Sequence, residues 1–194
     1  MKKLFIIAAL LLTACSFAPL ETGSGFRFAL EPVAVEGHTP QPESITVMMP
    51  TTSPELDTRR IALRINHRWD YYSAARWSDF LASLVQDNFT KTLDEAHLFK
   101  SVAPVDSGLV ADKILKIEIR SFEAEYTDGN AAPLIKIRMS VSIVSRLERR
   151  PLASFTLKAE QRAAANSLTA IQAAFAAAFN DTQQQLVEKL EKKN

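Results

Sequence analysis

Few residues in this 194-residue chain could do covalent or metal chemistry: Cys15 is the sole cysteine, and the histidines are His38, His67 and His97. One thiol closes no intramolecular disulfide, so an oxidising compartment adds no staple. No histidine has a second histidine or cysteine three or four residues away, the spacing that brings two donors onto one helix face. Each reads as a surface or loop residue. Acidic neighbours such as Asp94 and Glu95 do not face one another on a helix and read as solvated surface. There is no G-x-S-x-G elbow, H-E-x-x-H helix or P-loop, and the chain has only five glycines, which argues against a phosphate cradle. The expectation is a protein that is not an enzyme, with no cofactor and no metal.

The chemistry left is that of Cys15 itself, and its setting is specific. Lys2 and Lys3 precede an apolar run from Leu4 to Leu12, the layout of a signal peptide. Nine apolar residues cannot span a hydrocarbon core that needs ~20. Cleavage after Ala14 would put bulky Leu12 where ordinary signal cleavage wants a small residue. Leu12-Thr13-Ala14-Cys15 instead resembles the lipobox of bacterial lipoproteins, which implies removal of residues 1–14 and acylation of Cys15, as by palmitate. Two or three acyl chains on one cysteine make a lasting anchor, whereas one is marginal. Ser16 follows rather than the aspartate of the enteric inner-membrane retention rule, so the outer membrane, facing the periplasm, is expected, with the inner membrane as the alternative.

Removal of Lys2 and Lys3 leaves 21 basic against 22 acidic residues, interspersed throughout, so no nucleic-acid partner is implied. The mature length suits one domain, 26–194, joined to the anchor by a tether at 15–25 containing Pro19 and Gly23-Ser24-Gly25.

The elements that must position any site follow from periodicity. Strands are expected at Phe26–Leu30, Ile45–Met49, Ile61–Ile65 and Phe99–Val102, with Asn66-His67 as a turn. A helix is expected from Arg76 to Leu98, with Trp77, Phe80, Leu81, Leu84, Val85 and Phe89 on its apolar face and Asp79, Gln86, Asp87, Lys91 and Asp94 opposite. Leu115, Ile117 and Ile119 alternate with charged residues, and the apolar set then shifts to Phe122, Ala124 and Tyr126. That slip predicts a β-bulge near Ser121. After a turn at Asp128-Gly129-Asn130, Ile135–Ile143 and Phe155–Ala159 complete an antiparallel meander. A second helix runs from Ser167 to Leu190, with Lys189, Lys192 and Lys193 at the negative end of its dipole. The expected fold is α+β: a two-layer domain with a largely antiparallel sheet packed against two amphipathic helices.

Both tryptophans and two of the three tyrosines fall within Trp69-Asp70-Tyr71-Tyr72 and Arg76-Trp77. Aromatics this dense form either a binding surface or core anchors. Trp77 is expected in the core, Tyr71 and Tyr72 read equally as either, and Tyr71, Tyr72, Arg76 and Trp77 are the candidate partner-binding residues. Here the sequence resembles the ABC-type transport auxiliary lipoproteins, which include the paraquat-inducible protein C type. The resemblance rests on Leu56-Asp57-Thr58-Arg59-Arg60-Ile61, Tyr71-Tyr72-Ser73-Ala74-Ala75-Arg76-Trp77, Leu98-Phe99-Lys100-Ser101-Val102 and Ile119-Arg120-Ser121-Phe122-Glu123. It implies a non-enzymatic component of an MCE-type lipid transport system, partnered by an MCE substrate-binding protein and its ABC permease and ATPase, with a possible homo-oligomer. The alternative is an envelope-assembly scaffold or chaperone for outer-membrane proteins or lipopolysaccharide.

Overall fold

The computed structural model describes residues 25–35, 40–127 and 131–192. Cys15 and the tether up to Ser24, His38, the turn at Asp128-Gly129-Asn130 and Lys193 lie outside these. The elements are β1 (Phe26–Phe28), β2 (Gln41–Val47), β3 (Thr51–Thr52), β4 (Arg60–Ile65), β5 (Arg68–Trp77), α1 (Leu81–Glu95), β6 (Phe99–Pro104), β7 (Lys113–Tyr126), β8 (Leu134–Ser145), β9 (Pro151–Arg162) and α2 (Leu168–Glu191).

The spine of the sheet is β7. On one edge it pairs antiparallel with β8 along nearly its whole length, and β8 pairs likewise with β9, giving the expected meander. The register slips between Ile119 and Ser121, so the bulge inferred from the shifted apolar set is present. Beyond it Phe122 and Ala124 join Leu115, Ile117 and Ile119 in the buried set. The other edge of β7 is shared by β2, β3 and β4, all parallel to it. β6 extends the sheet beyond β2, while β5 and then β1 extend it beyond β4. One side of the spine therefore divides into two lobes.

The helices form the second layer, as the two-layer α+β reading requires. α1 packs mainly on β6, α2 on β8 and β9, and they meet where Phe89 stacks on Phe179 at 5.5 Å. Ser167 caps α2 by accepting a hydrogen bond from the Ala170 N–H, the side-chain cap that its residue type favours. α2 is long enough to cross a bilayer, but Asn180, Asp181 and Gln183–Gln185 break its apolar run. No helix among the described residues is long and apolar enough to cross a membrane.

Four expectations are corrected. The first helix begins at Leu81, not Arg76, because Arg68–Trp77 is a strand held between β4 and β1. The Trp77 N–H donates to Arg59 O and the Ser78 N–H to Phe28 O, leaving nothing for a helical turn. Phe80, placed on the apolar face, precedes the helix and is 49% exposed. Gln86, placed on the polar face, is 5% exposed and its amide donates to Val47 O at 3.0 Å. A buried amide needs such a partner. The second strand also starts earlier and ends earlier than expected, at Gln41 and Val47.

Asn66 and His67 form the two-residue loop between β4 and β5 with φ of 49° and 66°, the double positive φ of a type I′ hairpin. Asparagine tolerates this conformation and histidine does so at a cost. His67→Gly is expected to raise stability by about 1 kcal/mol, seen as a higher urea midpoint with an unchanged slope. His97, at φ 51° just past α1, is likewise an exposed turn residue.

Candidate functional site

The four candidate residues all lie on β5, and the strand sends them to opposite faces. An irregularity is built into its pairing with β4: Ala62 faces Tyr71 while Arg60 faces Arg76, so β5 carries extra residues between them. Tyr72, Ala75 and Trp77 consequently point inward, and Tyr71 and Arg76 outward. The structure does not gather the four into one site.

Trp77 is 1% exposed and is the hub of the core. Its indole meets Phe28, Phe122 and Phe175 edge-on at centroid distances of 5.7, 5.5 and 5.1 Å, the arrangement that the ring quadrupole favours. Tyr72 is tied to β7 through a 2.7 Å bond between its hydroxyl and that of Tyr126, which in turn donates to Asn166 Oδ1 at 2.9 Å. Burial, and then the Tyr126 hydroxyl, push the Tyr72 phenol far above its ordinary pKa. A proton held that firmly leaves neither a base nor a nucleophile, so the pair acts as a strut between the lobe and the spine.

The outward residues keep different company. Arg60 lies over the Tyr71 ring with its guanidinium carbon 3.7 Å from the centroid, while the Tyr71 hydroxyl donates to Glu55 O at 3.0 Å. One pair further along the hairpin, Arg64 faces Trp69 and sits over its ring at 5.0 Å. Arg76 is flanked across the ladders by Arg60 on β4 and Arg27 on β1, and all three are exposed. Arg27, Arg60, Arg64 and Trp69 were not among the candidates, yet they complete this face. Reading Asn66-His67 as a two-residue turn would have paired Arg64 with Trp69 directly. The Arg27–Arg76 pairing joins β1 to β5 across 49 residues of sequence, and no local pattern signals it.

Glu123 closes the inner border of this face, 2% exposed, accepting from the Phe122 N–H at 2.6 Å with Arg64 Nη1 at 3.8 Å. Burial holds its carboxyl above the ordinary carboxylate range, against the pull of the Phe122 N–H and Arg64. The folded chain thus keeps a proton that the unfolded chain releases. The stability this protonation provides is complete below the ordinary glutamate pKa and is lost as pH rises through the raised folded value. Glu123→Gln retains an acceptor for the Phe122 N–H and has no proton to lose. Thermal scans at stepped pH should therefore show a flatter profile across that window, with the variant at least as stable as the parent at neutral pH.

Where the lobes part, Met48 and Met49 wall a surface cavity of about 270 Å³ over Lys116, Glu118, Ser140 and Ser142. A second cavity, of about 370 Å³, runs from Met49 to Phe80 and Ser83.

These features define a two-layer α+β domain whose aromatic hub is structural and whose outward β1–β5–β4 face is basic and aromatic. The family model for the ABC-type transport auxiliary lipoprotein component matches residues 28–190, and the chain belongs to that family. Among solved structures it is similar in fold to a protein from Xanthomonas campestris, at 21% identity, covering 87% of this chain and 92% of that one, with a TM-score of 0.71. It is also similar in fold to a hypothetical protein from Chlamydia trachomatis, at 11% identity, covering 79% and 98%, with a TM-score of 0.55. No curated protein matches the chain.

Proposed function

We propose that this protein is a lipid-anchored, non-enzymatic auxiliary component of an MCE-associated lipid transport system, held by acylated Cys15 and facing the periplasm from the outer membrane. The observation that carries this reading is the family match from residue 28 to residue 190, which takes in α1, all of α2 except its last residue and all of the sheet except the first two residues of β1. The lipobox-like Leu12-Thr13-Ala14-Cys15 supports the anchor, and Ser16 the outer membrane. The chain carries no P-loop, so an ABC ATPase and permease would supply the work and an MCE-type protein the lipid conduit. The protein would dock the periplasmic end of that conduit, as a homo-oligomer if the dock is a ring.

The test is a pull-down of the C-terminally tagged full chain from detergent-solubilised membranes, with mass spectrometry of what is retained. Recovery of an MCE-domain protein is the expected result. Recovery of outer-membrane assembly proteins in its place would transfer the function to envelope biogenesis. In the same cells Cys15→Ser should abolish incorporation of labelled palmitate, and unchanged labelling would remove the anchor from the proposal.

A further inference from the structure

The geometry points to the outward β1–β5–β4 face as a surface that lies on anionic phospholipid headgroups, with Arg27, Arg60 and Arg76 meeting their phosphates and Trp69 settling at the interface. This inference rests on the reading that Cys15 carries lipid. Arg27 faces Arg76 and Arg76 faces Arg60 across adjacent strands, and strand spacing puts neighbours in such a row ~4.8 Å apart. Like charges directly opposite one another in a sheet repel. Among the described residues none of the three has a carboxylate partner, whereas Arg64, Arg120 and Arg150 each do. A row kept at that cost suits an anionic partner outside the chain.

The row's surroundings select the kind of anion. Guanidinium groups present flat forks that match phosphate oxygens. Trp69 is 38% exposed, and amphipathic rings of this kind gather at the membrane–water boundary. Arg27 is also the first charged side chain of the described residues, on the strand into which the N-terminal segment leads. From Cys15 to Arg27 is twelve residues, a reach of at most ~40 Å when fully extended. An anchored protein therefore holds this edge of the sheet close to the headgroups, and tethering makes the encounter intramolecular.

The experiment uses the lipidated chain purified in detergent and mixed with vesicles of phosphatidylethanolamine and phosphatidylglycerol, a fraction of which carry brominated acyl chains. Flotation reports the anchor, and quenching of Trp69 fluorescence reports the face; Trp69→Phe gives the background from Trp77. The expected result is flotation with Trp69 quenched, and loss of that quenching in Arg27→Gln/Arg60→Gln/Arg76→Gln, in about 0.5 M salt and on phosphatidylcholine vesicles. The triple variant relieves the repulsion of three exposed charges and gives up the stacking of Arg60 on Tyr71, two small and opposed effects, so its melting temperature should shift by no more than a few degrees. Flotation with Trp69 unquenched, or quenched equally in the triple variant, overturns the inference and leaves the anchor standing. Failure to float overturns both. If the three arginines prove necessary for retaining an acidic protein while Trp69 stays unquenched, the face belongs to a protein partner and the lipid inference falls.

Discussion

Replacing Trp77 with alanine should lower the melting temperature by about 10–15 °C. The indole is buried among Phe28 on β1, Phe122 on β7 and Phe175 on α2, so its removal leaves a cavity bordered by three elements that cannot all close on it. Truncating a buried tryptophan costs ~3–5 kcal/mol, and in a domain of this size each kcal/mol corresponds to ~2–4 °C. Trp77→Phe should lose less than half as much, since a smaller ring still meets Phe175 edge-on. Trp69→Ala is the contrast: at a partly exposed site packed chiefly on Arg64, it should shift the melting temperature by no more than a few degrees. Equal losses at the two tryptophans, measured by thermal scans, would contradict the assignment of one to the core and the other to the surface.

Gln183→Ala is the second large effect, about 2–4 kcal/mol, and its origin is polar. Gln183, fully buried on α2, accepts from the Thr92 hydroxyl of α1 and from the Val33 N–H at 3.2 Å, while its amide donates to Glu31 O at 2.9 Å. One side chain thus joins both helices to the segment that follows β1. Alanine leaves a space at the helix junction and leaves buried groups without partners. Amide exchange should show Val33 losing protection before global unfolding. Thr92→Val, which removes one member of the cluster and keeps its volume, should cost only about 1 kcal/mol.

Neither Gln183 nor Gln86 stands out in the sequence as a structural residue, because a glutamine on an amphipathic helix normally marks the wet face. Both are buried here because their amides meet backbone groups that secondary structure leaves unpaired. Gln185 does the same at the sheet edge, where its side chain bonds both the N–H and the C=O of Lys158 on β9. Such partners come from segments remote in sequence, and periodicity carries no record of them.

The elements legible along the chain are those whose pattern is written in their own residues. The alternation from Ile135 to Ile143 and the slip after Ile119 specify strand faces and a bulge. The spacing of Ile171, Phe175 and Phe179 specifies an amphipathic helix, and the two-layer α+β class follows from these. Burial of one face is a local constraint, so one-sided patterns report it. Which strands lie side by side is set by packing between distant segments. Arg76-Trp77 fits a helical stripe as well as a strand, and it became a strand because β4 and β1 supply hydrogen bonds on both of its edges. The same pairings place Arg27, Arg76 and Arg60 in one row, turn Tyr71 and Tyr72 to opposite faces, and divide the partners of β7 into two lobes. Parallel pairing between distant segments leaves no turn between them to be recognised, which is why the basic face emerges only when the chain is folded.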